Sequence, residues 1–499
     1  MTSHDGTGDA GPERPDDGVD LRTTAIRGAA WSALEKWGAR LLSTAVFIVL
    51  ARLLDPAAFG LVALSAAIVD VTERLREQGL TLAVVQRKDL TDRQVHSAFW
   101  FSIVFGVLLG GIVAALAGPF AILFGEPGIR DVLPWLALGM VLAAFGRIPT
   151  ALVMRRFEFR ALALRGILAN TVAGAVAIGL AFLGAGVWAL VVQNLLQALV
   201  TTVVVLTIAR YRPRASFDRT EFRPLWQVGN RVLGFDLLTL AHKRGDDLVL
   251  GALIGSVALG YYTIAYRLLA VMSEALSKTV QQVAVPTFSR LQDEPVRLAR
   301  AFSQATTMTL TAAMPAAVGL ALVAPEIVPL VFGAQWLPAV PAMQWLCVVV
   351  AVQNFDYFVY DVLLASGRAG LRLWLQLARA VTSLTFFVTA ALATQDFVAV
   401  AASQAAVTTL FVPVSLAVMR RTVRLDVGAF ARQVAPVVLA TGIMVGGVLL
   451  VRATMAGATD LAVLVACVLA GAATYSLGLL LVGREQIREV LTAGRSLRP

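Results

Sequence analysis

Long apolar stretches separated by short, Arg-rich connections dominate the chain. A membrane-crossing helix needs about 20 mainly apolar residues to traverse about 30 Å of hydrocarbon. Fourteen stretches meet that requirement. Six lie in the first half, at 27–52, 59–78, 95–118, 131–152, 163–184 and 187–209. Six more follow at 228–254, 258–281, 300–323, 339–364, 371–392 and 397–419, and a final pair lies at 434–453 and 461–482. In lipid only helices and closed barrels satisfy every backbone polar group, and runs of this length suit helices. The pattern predicts an all-α, polytopic membrane protein of about fourteen spans.

The basic residues test that count. Alternate connections and the span ends beside them carry Arg76, Arg87, Lys88 and Arg93, then Arg147, Arg155, Arg156, Arg160 and Arg165, then Arg210, Arg212, Arg214, Arg219, Arg223 and Arg231. The same set continues with Lys278, Arg290, Arg297 and Arg300, then Arg368 and Arg372, then Arg420, Arg421, Arg424 and Arg432. The intervening connections hold only Arg52, Arg130 and Arg452. This asymmetry is the positive-inside pattern, and it predicts that both termini face the cytoplasm. The expected layout is a disordered tail at 1–24, an N-lobe of six spans at 25–215 and a C-lobe of six spans at 216–433. The last two spans at 434–483 and a cytoplasmic tail at 484–499 complete it. The polar, Gly- and Asp-rich first 21 residues lack the features of a cleaved signal, so the first span is expected to act as its own.

Composition agrees: of 499 residues, 58% are hydrophobic and only 15% charged, against about 25% charged in soluble domains. Mean hydropathy is +0.76. The net charge of +10 is mostly accounted for by topology. No basic stretch with interleaved aromatics lies outside the apolar segments, which argues against a nucleic-acid partner. Cys347 and Cys467 sit inside apolar runs without a ligand cluster, so neither a disulfide nor a metal site is expected. No phosphate-binding loop, zinc signature or cofactor motif is present, and the only histidines are His4, His96 and His242. No catalytic residue is assigned. The longest outward connections, 118–131 and 324–338, are short for an enzyme acting on glycans outside the cytoplasm.

Residues 53–60 (LLDPAAFG) recur as 253–260 (LIGSVALG), at an offset of 200 residues. Both copies join an outward-going span to the next inward-going one, so spans one and two correspond to spans seven and eight. The copies lie on one side, which predicts parallel repeats about an axis along the membrane normal.

Ionisable residues within spans are costly and usually face a cavity or a partner. Span one carries Glu35, Lys36 and Arg40, with Lys36 and Arg40 on one face. Span seven carries His242, Lys243, Arg244, Asp246 and Asp247, and span eight carries Arg267 and Glu274. Arg40 and Arg267 lie near mid-depth with no evident carboxylate one turn away. A cavity so lined would suit an anionic headgroup, because guanidinium presents a fork matched to phosphate oxygens. The alternative is internal pairing: Lys36 with Glu35 or Asp70, and Lys243 or Arg244 with Asp246 or Asp247. Asp70 and Arg74, spaced i,i+4, are expected to pair near the cytoplasmic end. Arg379, on a face with Arg372, Gln376 and Ser383, is a candidate for lining a pathway. Asp246, Asp247, Asp356 and Asp361 are candidates for the pathway or for ion coupling.

Several stretches, taken in order, resemble the polysaccharide flippases of the multidrug/oligosaccharidyl-lipid/polysaccharide exporter superfamily. They are ARLLDPAAFGLVALS at 51–65, EQGLTLAVVQRKDLT at 77–91, HSAFW at 96–100 and RRFEFRALA at 155–163. KRGDDLVLGALIGSVALGYYTIAYRLL at 243–269, PTFSRLQDE at 286–294 and APEIVPLVFGAQWLPAVP at 324–341 continue the series. The resemblance implies two six-helix lobes that alternate between inward-open and outward-open forms. It also implies movement of undecaprenyl-pyrophosphate-linked oligosaccharide across the bacterial cytoplasmic membrane. Arg40, Arg244 and Arg267, with Lys36 and Lys243 beside them, match by span and depth the basic residues that engage pyrophosphate in such flippases. The implied partners are the lipid-linked oligosaccharide and membrane lipids, with other polysaccharide-assembly membrane proteins as a further candidate. The rival readings are a multidrug carrier of the same fold, which would want an acidic, aromatic cavity, a membrane glycan polymerase or ligase, and a non-transporting assembly scaffold.

Overall fold

The computed structural model describes residues 38–482 apart from 39, 78–79, 88, 215, 219, 221–244 and 456. Among the described residues it is entirely helical. Residues 40–53 form α1, followed by α2 (Pro56–Glu77), α3 (Leu80–Gln86), α4 (Asp92–Ala115), α5 (Ala117–Leu123), α6 (Ile129–Arg155), α7 (Phe159–Phe182) and α8 (Val187–Ala209). The second half opens with α9 at residues 245–253, then α10 (Ser256–Arg290), α11 (Pro295–Leu322), α12 (Ala324–Val331), a 3-10 turn (Ala334–Ala339), α13 (Val340–Gln353) and α14 (Val359–Ala365). It closes with α15 (Ala369–Thr394), α16 (Phe397–Val423), α17 (Val427–Thr454) and α18 (Asp460–Val482). Eleven helical segments among the described residues are long and apolar enough to cross a membrane. With the partly described α1 and α9 and the more polar α10, this is compatible with the fourteen expected.

The two halves repeat one packing scheme. In the first, α6 packs on α4, α8 and α2, while α7 packs on α8. In the second, α13 packs on α11, α16 and α10, while α15 packs on α16. The expected repeat is therefore a repeat of structure, with α2 matching α10, α6 matching α13 and α8 matching α16.

The lobes meet where α2 lies against α10. A Cβ placed on Gly60 would come 1.6 Å from the backbone oxygen of Ser256, and one on Gly260 would come 2.0 Å from that of Pro56. Residues 56 and 60 thus contact 260 and 256, a reciprocal pairing at the repeat offset of 200. Such self-complementarity is what a local two-fold axis produces. Small residues admit the close backbone approach that helix pairs in lipid rely on, and here both partners are glycine.

Three features depart from the span pattern. Helix α10 runs for 35 residues rather than the 24 of segment 258–281, about 52 Å at 1.5 Å per residue. Pro286 lies within it without ending it, and the helix stops only at the turn before Pro295, which starts α11. Segment 339–364 is broken between α13 and α14, around Asp356. The connection 324–338, expected as a loop, is folded into α12 and the 3-10 turn. Trp336, fully buried, donates from Nε1 to the Ala51 carbonyl at 2.8 Å.

That folded connection uses the outward arginines. Arg52 donates through Nε to the Val331 carbonyl at 2.9 Å and through its other arm to the Leu330 carbonyl, capping the C-terminus of α12. Gln335 donates to the carbonyls of Ala51 and Leu54 at 2.8 and 3.2 Å. Arg452 pairs with the largely buried Glu326 at 2.7 Å and donates to the Leu322 carbonyl, fastening α17 to α12. Two of the three cations at the Arg-poor end are thereby structural. Helices α17 and α18 pack closely, with Gly447 against Thr474 and Gly478 against Ala440.

At the Arg-rich end, the chain leaving α8 folds back on the base of α4, which starts with a Thr91–Gln94 capping box. The Tyr211 hydroxyl lies 2.6 Å from His96 Nδ1, Trp100 donates to the Arg214 carbonyl at 2.8 Å, and Ser97 Oγ accepts from the Asp218 amide at 2.9 Å.

Candidate functional site

Helices α1 and α10 bring the mid-depth cations together. Arg267 donates to Ser43 Oγ at 2.9 Å, and its guanidinium lies 4.6 Å from the centre of the Phe47 ring. Arg40, one turn before Thr44 on the same helix, reaches Glu274 at 3.5 Å. Glu274 also accepts from Lys278 at 3.0 Å. Among the described residues Arg40 and Lys278 share the Glu274 carboxylate while Arg267 is held on Ser43, so these four side chains sum to a net charge of +2. The buried Nε atoms of Arg40 and Arg267 have no hydrogen-bond partner among the described residues. A buried donor without an acceptor is expensive. A phosphate-bearing ligand would supply that acceptor.

Glu274 lies on the long α10, one element of the second lobe, and Arg40 on the first helix of the other. Sequence spacing along one helix does not reveal such a pair. Lys36, Lys243 and Arg244 lie outside the described residues.

The remaining candidates form separate groups. Asp356, at the break between α13 and α14, accepts from Arg379 at 3.1 Å and from Ser415 at 2.9 Å, all three buried. Gln376 and Ser383 are buried on the same face of α15. Beside the break, Ser277 donates to Asn354 at 2.9 Å, and Gln281 of α10 donates to Asp361 at 2.7 Å. Asp246 is buried on α9 and accepts from Tyr262 at 2.7 Å. Asp247 follows it, its amide donating to the Asp246 carboxylate at 3.0 Å. At the break the amides of Phe355 and Asp356 donate to the Val352 and Gln353 carbonyls and Asn354 Nδ2 donates to the Val350 carbonyl at 2.6 Å, which is how irregular backbone is tolerated at membrane depth.

A cavity of about 830 Å³ occupies the first lobe among α2, α3, α6, α7 and α8. Asp70, Glu73, Arg147 and Arg165 line it together with Asn194 and Gln197. A second, apolar cleft of about 570 Å³ lies between α10–α12 and α17–α18. Neither cavity was evident from the spacing of charges along single helices.

The profile of the family described as "Polysaccharide biosynthesis protein" matches residues 49–341. The chain is 27% identical over 360 residues to the succinoglycan biosynthesis transport protein ExoT of Rhizobium meliloti, covering 72% of this chain and 73% of the relative. It is 25% identical over 356 residues to the lipopolysaccharide biosynthesis protein WzxC of Escherichia coli, covering 70% and 72%. Among solved structures, the lipid II flippase MurJ in an inward closed conformation superposes with a TM-score of 0.73 over 91% of this chain and 99% of that one, at 11% identity. An inward-facing multidrug resistance transporter of the MATE family gives 0.62 over 79% and 98%, at 15% identity. The chain thus shares its fold with these two transporters.

Proposed function

Since the chain belongs to the polysaccharide biosynthesis protein family, we propose that it moves undecaprenyl-pyrophosphate-linked oligosaccharide from the inner to the outer leaflet of the bacterial cytoplasmic membrane. The observation that carries this reading is the net-positive cluster of Arg40, Arg267, Glu274 and Lys278, made by helices of both lobes. A glycan head crosses a bilayer slowly because each hydroxyl loses water without replacement. A polar path between lobes supplies replacement partners, and the cations balance the pyrophosphate. The relatives' names, which concern succinoglycan transport and lipopolysaccharide biosynthesis, agree with a polymer-precursor substrate.

On this reading the Arg-rich end faces the cytoplasm, in keeping with the positive-inside pattern. In this arrangement the glycine seam, Arg52, Gln335 and Trp336 close the outer end, and they must part for release outward. Such exchange between two arrangements around a fixed site is alternating access. The charge balance disfavours a carrier for cationic drugs, whose site would be acidic.

The test is leaflet exposure of a labelled undecaprenyl-pyrophosphate oligosaccharide in vesicles with and without the purified protein. Protein-dependent exposure on the far leaflet is expected. Exposure equal to that of empty vesicles, with the native glycan and folded protein, would overturn the proposal.

A further inference from the structure

Glu274 sits among the cations that a pyrophosphate needs, where a carboxylate competes with the ligand for them. We propose that Glu274 is an internal substitute for the substrate's phosphate. It holds Arg40 while the carrier returns unloaded, and it gives Arg40 up to the pyrophosphate when substrate binds. This role rests on the flippase reading and adds to it the residue that lets the unloaded carrier complete its cycle.

Electrostatics creates the need for such a residue. Arg267 of α10 donates to Ser43, three residues on from Arg40 along α1, so the two guanidiniums lie close together where the lobes meet. Like charges brought together away from water repel unless an anion offsets them. On the loaded passage the substrate supplies that anion. Alternating access also requires a return without substrate, and the same helices then pass each other with Arg40 needing another negative group. Glu274 meets that need from the opposite lobe, at 3.5 Å.

Three features suit a contact made to be exchanged. The Arg40–Glu274 distance of 3.5 Å exceeds the roughly 2.7–2.9 Å of a strong charge-assisted bond. Both side chains are also partly exposed, at 29% and 36%, so a ligand can reach them and the pair itself stabilises little. Second, release does not strand the carboxylate. Lys278, one turn further along α10, already holds it at 3.0 Å, and stranding is what makes breaking an ion pair costly. Third, the charges then match. With Lys278 and Glu274 neutralising each other, Arg40 and Arg267 leave one positive charge for each charged phosphate of a lipid-linked pyrophosphate. Its oxygens also offer acceptors to the buried Nε atoms of both arginines, which have none among the described residues.

The place of Glu274 along α10 gives the exchange a mechanical consequence. It lies 14 residues beyond Gly260, about 21 Å of helix, well inside the glycine seam. Of the polar contacts between the lobes described above, Arg40–Glu274 lies farthest toward the Arg-rich end. Moving Arg40 from Glu274 to the substrate therefore removes a tie between the lobes at that end and leaves the outer seam untouched.

The experiment compares two modes of movement in vesicles containing the purified full chain. One is one-way exposure of labelled undecaprenyl-pyrophosphate oligosaccharide, in which the carrier returns unloaded. The other is exchange, in which unlabelled glycolipid fills the far leaflet and the carrier returns loaded. Glu274→Gln should lower the ratio of one-way movement to exchange about tenfold, a smaller effect than at a fully buried pair because this one is partly exposed. It should also tighten binding of bare undecaprenyl pyrophosphate in nanodiscs about two- to fivefold, since no ion pair has to break first. Glu274→Asp keeps the charge and should restore most of the ratio. A wild-type ratio in Glu274→Gln, binding that is unchanged or weaker, or equal loss of both modes, the mark of a purely structural residue, overturns the role. Wild-type protein that supports neither mode overturns the flippase reading itself, and the role with it.

Discussion

Replacing Gly60 with alanine places a methyl group where the seam leaves no room. Its carbon would lie 1.6 Å from Ser256 O, 2.5 Å from Ser256 C and 2.9 Å from Gly260 N, where ordinary contact begins at 3.4 Å. All three are backbone atoms, so no rotamer change relieves the clash, and α2 and α10 must separate by about 2 Å or leave the closed arrangement. Overpacking of this kind costs about 1–3 kcal/mol, and only the form with a closed seam bears it. That difference shifts the balance between forms by roughly 5- to 150-fold. The readout is the labelling rate of a Ser256→Cys reporter by an impermeant maleimide, with Cys347 and Cys467 replaced. Gly60→Ala should raise that rate within this range and slow substrate movement. Gly260→Ala should do the same, since its Cβ meets Pro56 O at 2.0 Å. Gly111→Ala, with nothing within 4 Å, should be silent. An unchanged labelling rate in folded Gly60→Ala protein would refute the view that this seam closes the outer end.

Other consequences are direct. Arg379→Ala leaves Asp356, 1% exposed, without its cation and should cost about 3–5 kcal/mol in detergent unfolding; Asp356→Asn with Arg379→Gln should recover part of that, and no recovery would refute the pairing argument. Arg452→Ala strands Glu326 and should cost about 1–3 kcal/mol, with faster proteolysis between α17 and α18 as the check. Burial and the nearby Asp92 push the Tyr211 hydroxyl up to about 12 from 10.0. Unfolded tyrosine ionises first, so the stabilisation is whole below about pH 10 and is lost as pH rises through the folded value; Tyr211→Phe should remove this alkaline dependence of the melting temperature.

Sequence pattern carries the plan of this fold because lipid imposes it: span lengths follow hydrocarbon thickness, and the 53–60 and 253–260 copies announce the repeat. What the pattern omits is contact between distant helices. Arg40 has no carboxylate one turn away, yet Glu274 reaches it from α10. Arg52, an exception to the charge asymmetry, proves to be a helix cap on residues almost 280 positions later. Hydropathy reads 339–364 as one span because the polar residues Gln353, Asn354, Asp356 and Asp361 are outweighed by the apolar ones around them; the partners of Asp356, Arg379 and Ser415, come from later helices. Asp70 reads as a helix-end charge beside Arg74, and only packing places it on a cavity wall with Glu73, Arg147 and Arg165.

The central claim is that the cationic seam holds the substrate's pyrophosphate. Its most direct test compares far-leaflet exposure of the lipid-linked oligosaccharide by wild type, Arg267→Ala and the Arg40→Ala/Arg267→Ala pair, with folding verified by unfolding midpoint. Loss of a charge-assisted bond is worth about 1.5–3 kcal/mol, so the single change should slow exposure roughly 10- to 150-fold and the pair should slow it further. Wild-type rates in the folded double variant would contradict the account.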